Sequence, residues 1–161
     1  MKYTLFIPGK PFGKQRHRNA GAHRTYTPKQ TVAYENRLAI EWIKKYGSNP
    51  IDIDCRGSVG FTVDVYCCFL PPKSATKSKR ELMLKGKILY TKKPDRDNVE
   101  KIVGDGLNSI AWIDDSSIVM GEAVKVYMPY QCVKIVVTPI TEISKDRLEF
   151  IDGIGMEETD E

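Results

Sequence analysis

The sequence predicts an α+β domain, a mixed or antiparallel β-sheet with helices packed mainly on one side. Three observations predict it. Apolar residues alternate with period two near residues 2–7, 59–67 and 118–140, the pattern of half-buried strands. Apolar residues recur at helical spacing over 28–46 and 97–110. The order is strand, arm, helix, strand, short helix, short strand, helix, strand, strand, without internal repeat, as in α+β domains. A chain of 161 residues is long enough for one domain with its own core. We assign 1–140 to that domain and 141–161 to an acidic C-terminal tail, partly disordered.

Each element has a local reason. Lys2 to Ile7, in "KYTLFIPG", is rich in β-formers, and Pro8, Gly9, Pro11 and Gly13 end it. The basic stretch "GKQRHRNAGAHRTYTPK" is either a flexible arm or a hairpin with "NAGA" at its tip. The next segment predicts a helix, with Thr27 as N-cap and Pro28 in the first turn. Val32, Leu38, Trp42 and Ile43 form its apolar stripe beside Ala39; Lys44 and Lys45 close it and Gly47 stops it. "SNPIDID" is a loop.

Val59, Phe61, Val63, Val65 and Cys67 alternate into a strand with a partly covered second face, ended by Pro71. A mobile Lys- and Ser-rich piece leads to a short helix capped by Ser78, with Glu81 at the box position. "KILYT" is a short strand or an extended piece. Val99, Ile102, Val103, Gly106, Leu107 and Ile110 then mark a second amphipathic helix. "WIDDSS" turns the chain, and "IVMGEAVKVYMPYQCVKIVVTPI" reads as an antiparallel pair turning near "MPYQ".

Charge is divided unevenly. Residues 1–101 hold 21 Lys and Arg against 9 Asp and Glu, whereas 102–161 hold 4 against 12. The first part therefore offers a surface for a polyanion. No apolar run reaches the roughly 20 residues of a membrane helix, and the Pro- and Gly-rich start does not resemble a secretory signal. We expect a cytoplasmic protein. Cys55, Cys67, Cys68 and Cys132 form no CxxC and have no His at zinc spacing, so buried, reduced thiols are expected.

Against this basic background, Lys92 to Ile118 carries six acids: Asp95, Asp97, Glu100, Asp105, Asp114 and Asp115. Each alone has an ordinary structural explanation. Asp97 would suit an N-cap with Glu100 completing a capping box, Asp97 and Lys101 would suit an i,i+4 pair, and Asp114 and Asp115 would suit a turn beside two serines. Together they pose a different question. A D-x-D at a helix start and an Asp at the mouth of the following strand, if converged, would repel one another without a cation. Hard oxygens suit Mg²⁺ or Mn²⁺, and metal-assisted phosphodiester hydrolysis requires neither His nor Cys. A lone D-x-D also occurs in haloacid-dehalogenase phosphatases and glycosyltransferases. The first place it directly after a buried strand, where this chain has "TKKPDRDN", and the second need a longer chain.

"KKPDRDNVEKIVGDGLN…WIDDSSI" resembles the signature of RusA-type Holliday-junction resolvases, a family found largely in phages and prophages. "IPGKPFGKQRHR" and "TYTPKQTVAYENRL" resemble that family's opening segment, so the likeness spans most of residues 2–138. It implies a RusA-like fold and a homodimeric, Mg²⁺-dependent endonuclease (Mn²⁺ a possible substitute) that makes paired nicks across a four-way DNA junction, in recombination and repair. It implies no organic cofactor and no membrane partner. The family's metal-binding aspartates fall on Asp95, Asp97 and Asp115, and its active-site lysine on Lys101. Asn98, Asp105 and Asp114 are assigned supporting roles, with Asp105 either pairing Lys101 or joining the metal shell. Lys14, Arg16, Arg18, Arg24, Lys92, Lys93 and Arg96 are expected on phosphates, with His17 and His23 as phosphate or surface contacts. The competing readings are a non-catalytic DNA-binding recombination accessory protein and a Mg²⁺ phosphohydrolase acting on nucleotides.

Overall fold

A computed structural model of the chain describes residues 1–16, 18–19, 25–51 and 59–154. Its strands are β1 (Tyr3–Pro8), β2 (Arg18–Asn19), β3 (Thr25–Tyr26), β4 (Gly60–Phe69), β5 (Ile118–Met120), β6 (Ala123–Tyr127) and β7 (Cys132–Ile140). Its helices are α1 (Lys29–Tyr46), α2 (Lys77–Leu84), α3 (Arg96–Leu107) and α4 (Lys145–Asp152), with a 3-10 turn over Asp115–Ser117. The expected α+β architecture holds. A five-stranded mixed sheet runs β1-β7-β4-β5, and β6 continues the β5 edge along β4. β2 and β3 form a separate antiparallel pair, the hairpin alternative for the basic arm.

The longest strand is central because both of its edges are paired. β4 is antiparallel to β7 and parallel to β5 and β6. This corrects the expected β6–β7 hairpin: the two strands flank β4 rather than each other. The connection after Tyr127 passes the end of β4, where Met128 N donates to Phe69 O (2.8 Å), and Cys68 pairs with Cys132. A hairpin would have left the apolar β4 on an edge with unpaired amides. "KILYT" forms no strand.

The core lies between one sheet face and two helices. Leu5, Ile7, Val63, Val65, Val133, Ile135 and Val137 meet Leu38 and Trp42 of α1 and Val99, Ile102, Val103 and Leu107 of α3. The buried residues of α1 are Thr31, Leu38 and Trp42, whereas Val32 and Ile43 are 40% and 38% exposed. A buried threonine replaces the expected valine because Thr31 Oγ1 accepts the Gln15 amide (3.3 Å). α1 and α3 approach closely at Gly106, where a Cβ would lie 2.8 Å from Leu38 Cδ1 and 3.2 Å from Glu35 Cα. The edge of β1 is covered from α1: Thr4 N donates to the Tyr46 hydroxyl (2.7 Å) and Lys45 donates to Thr4 O (2.6 Å), which blunts a free strand edge.

Helix starts differ from expectation by one or two residues. Pro28 caps α1 in place of Thr27, and Thr76 caps α2, accepting from Lys79 N, in place of Ser78. Asp95, not Asp97, occupies the N-cap position of α3, without a side-chain capping bond. Within the acidic tail, Lys145–Asp152 is helical. Cys67, Cys68 and Cys132 are buried free thiols, and burial pushes the Cys67 thiol up to about 12. Cys55 lies outside the described residues.

Candidate active site

The acidic segment occupies both ends of α3. Asp95 and Asp97 form its first turn, where the exposed backbone N–H groups favour anions. Lys101, one turn on, donates to Asp97 Oδ2 at 3.3 Å. That bond is the largest of several effects that hold the Asp97 carboxyl below its ordinary range. Lys93 pairs with Asp95, and Arg96 Nε lies 4.0 Å from Glu100. These pairs are well exposed, so each is weak and readily exchanged for another partner.

The D-x-D is held by two neighbours that the motif does not include. The first is the loop after β1. Lys14 N donates to Asn98 O (2.8 Å), and Gly13 packs so closely that a Cβ would lie 2.7 Å from Pro94 Cβ and 3.2 Å from Asn98 Cβ. The Lys14 ammonium pairs with Asp105 and lies 3.8 Å from Glu35, joining the loop to α3 and α1. Asp105 thus pairs with Lys14 rather than Lys101. The second neighbour is Lys125, which sequence reasoning missed. Its ammonium donates to the carbonyls of Lys92 (2.8 Å) and Pro94 (3.0 Å) and lies 5.5 Å from the Tyr90 ring centroid. Tyr90 donates to Lys93 O (2.9 Å). A signal was present: Ala123, Lys125 and Tyr127 share the core-facing phase of β6, opposite Val65, Cys67 and Phe69, and a lysine in that phase needs partners.

The second acidic pair follows the other end of α3. Ala111 and Trp112 are fully buried and anchor the return of the chain. Ile113 is 80% exposed, and Asp114 and Asp115 follow it into solvent. Asp114 Oδ1 accepts the Ser116 amide (2.8 Å), and hydrogen bonding by Ser116 holds the Asp114 carboxyl low. Asp114 is therefore engaged in building the turn, while Asp115 opens it.

The structure does not bring Asp95, Asp97 and Asp115 together within one chain. Along the sheet, Ile118 lies opposite Phe61 and Lys125 opposite Cys67, six residues further along β4. Asp95 lies at the Lys125 end and Asp115 precedes Ile118. Among the described residues no three His, Cys, Asp or Glu side chains form a group that could hold a metal ion. The donors are hard oxygens of the right kind, but one chain does not present them as one site.

Of the expected phosphate contacts, Lys92, Lys93 and Arg96 adjoin the D-x-D in sequence, and Lys14 is half-buried and paired with Asp105. Arg16, Lys92, Lys93 and Arg96 are exposed. Arg18 lies on β2, with its side chain outside the described set, and His17, His23 and Arg24 lie outside the described residues. No helix among the described residues is long and apolar enough to cross a membrane.

Comparison with known proteins identifies a family and a relative. The model of the family described as Endodeoxyribonuclease RusA matches residues 8–138. A protein of Bacillus subtilis (strain 168), "Uncharacterized protein YqaN", is 34% identical over 85 residues, which cover 53% of this chain and 60% of the relative's own length.

Proposed function

The chain belongs to the RusA endodeoxyribonuclease family, and on that premise we propose that it is a divalent-metal-dependent endonuclease that resolves four-way DNA junctions by paired nicks. The observation that carries this reading is the exposed D-x-D on the first turn of α3, with Lys101 bonded to Asp97 and exposed cations on either side. The cations bring the phosphate backbone to carboxylates that would otherwise repel it. Asp95, Asp97 and Asp115 are the proposed metal-binding carboxylates, with Mg²⁺ the expected ion. Lys101 orients Asp97 and lies within reach of a phosphate bound beside it, where its charge offsets charge developing in the transition state. Lys125 and the Gly13–Lys14 loop position the D-x-D.

Because Asp95, Asp97 and Asp115 form no metal-holding group within the described residues of one chain, the reading pairs Asp95 and Asp97 of one copy with Asp115 of a second. A two-fold homodimer supplies two such sites, as paired nicking demands.

The test uses a labelled synthetic four-way junction beside a linear duplex, with Mg²⁺ or EDTA. Symmetric nicks in the junction alone, lost with EDTA and in Asp97→Asn despite retained binding, are expected. Mixing inactive Asp97→Asn with inactive Asp115→Asn should restore nicking, since a mixed dimer then contains one intact pair of carboxylate sets. Failure to restore, with subunit exchange demonstrated, overturns the shared site. Tight binding without cleavage in Mg²⁺ or Mn²⁺ overturns the enzyme and leaves a DNA-binding accessory protein.

A further inference from the structure

Between β4 and the D-x-D the chain inserts a module, residues 71–94, that carries eight Lys and Arg against the single carboxylate of Glu81. We propose that this module is a second DNA-binding element, which grips the phosphates of the duplex arm next to the one held at the D-x-D. The inference rests on the nuclease reading and adds to it a surface outside the acidic site.

Three observations carry it. First, the cations are available. Lys73, Lys77, Lys79, Lys85 and Lys87 are all exposed, and among the described residues none is in an ion pair. Lys2, Lys10 and Lys29 are likewise exposed and outside the ion pairs, whereas Lys44 is matched with Glu41 and Lys145 with Glu149; what sets 71–94 apart is the density of its cations, eight against one acid. A run of like charges with so little counter-charge disfavours the folded state by self-repulsion and is relieved by a polyanion.

Second, the module is fastened to the site. Met83 is 5% exposed and joins the core. Tyr90 stacks on Phe69 with centroids 3.8 Å apart and meets Tyr127 edge-on at 5.1 Å. Thr76 caps α2 and Arg80 donates to Pro72 O (3.3 Å). The two ends of the module are therefore set, one by β4 and the other by Lys125 at Pro94. A preorganised surface costs less ordering on binding than a free tail of lysines would.

Third, the dimensions suit a duplex. α2 has eight residues and is about 12 Å long. A DNA strand advances about 3.4 Å per phosphate along the axis, so the helix spans roughly three or four phosphates.

The measurement is junction binding without divalent metal, as a function of salt. In Lys77→Gln/Lys79→Gln/Lys85→Gln/Lys87→Gln, the slope of log K against log salt should become shallower by about 3–4, because each phosphate contact contributes about 0.9. Affinity at physiological salt should drop by at least tenfold. Lys44→Gln/Lys145→Gln, which removes two already paired charges, should barely change the slope. As a measurement needing no variant, lysine acylation of the wild-type protein, read by mass spectrometry, should show Lys77, Lys79, Lys85 and Lys87 protected by the junction. Unchanged slope in the quadruple variant, or full acylation of these lysines in the complex, overturns the inference. A wild-type protein that fails to bind the junction overturns the nuclease reading instead.

Discussion

Lys101 and Asp97 show how much one turn of helix determines. The i,i+4 spacing brings the ammonium to 3.3 Å from the carboxylate, and the carboxyl pKa falls as a result. A lowered carboxyl stays ionised to lower pH. In Lys101→Met it should therefore return toward its ordinary value, read as an upward shift of the Asp97 side-chain carbonyl titration by NMR, and the acid limb of the nicking rate should move to higher pH with it. An unmoved titration would show that the pair does not persist in solution. Both groups are exposed, so the change should register in activity rather than in the melting temperature. At this scale the sequence was informative: the D-x-D, the D-D and the lysine one turn on could all be read directly. Which residue each side chain meets could not. Asp105 pairs with Lys14, 91 positions away, and no local pattern encodes that distance.

Elements are where local signals served best and boundaries slipped. α3 follows the apolar periodicity and α1 does so only in part, with Leu38 and Trp42 buried and Val32 and Ile43 exposed, and the N-caps moved by one or two residues, because Pro28, Thr76 and Asp95 all have extended ψ angles that suit the cap position. The strand β6 carries a less visible device, an inward-phase lysine that holds the loop before the D-x-D by two carbonyls. Lys125→Met keeps the apolar stem and removes both bonds. We expect about 1–2 kcal/mol lost stability and a nicking rate reduced by about tenfold, since a loosened first turn misplaces the carboxylates. Amide exchange over residues 88–96 should accelerate. A variant with wild-type exchange in that loop and wild-type nicking would remove Lys125 from the site's support.

For the whole molecule, the decisive feature is the position of β4 between β7 and the β5–β6 edge. That edge breaks at Gly121, where the backbone presses against β4: an added Cβ would lie 2.0 Å from Val63 O. Glu122 then rejoins, its amide donating to Asp64 (3.2 Å) and its carbonyl accepting from Val65 N (2.8 Å). Gly121→Ala cannot be accommodated without moving the strand, and should cost about 3 kcal/mol, visible as a lower midpoint of chemical denaturation. An unchanged midpoint would mean that the β5–β6 edge is looser than drawn. The same arrangement puts the D-x-D at the start of α3 and the D-D in the turn before β5, beyond the helix.

The sequence by itself determined the α+β class, the main helices and most strands of the core, and the basic and acidic division of the chain, because each of these is written in neighbouring side chains. Only the tertiary structure decided the strand order, the partners of Lys14 and Lys125, and the separation of the two acidic pairs. Those depend on which surfaces bury most apolar area and satisfy most backbone groups when distant segments meet, a global balance that local periodicity does not contain.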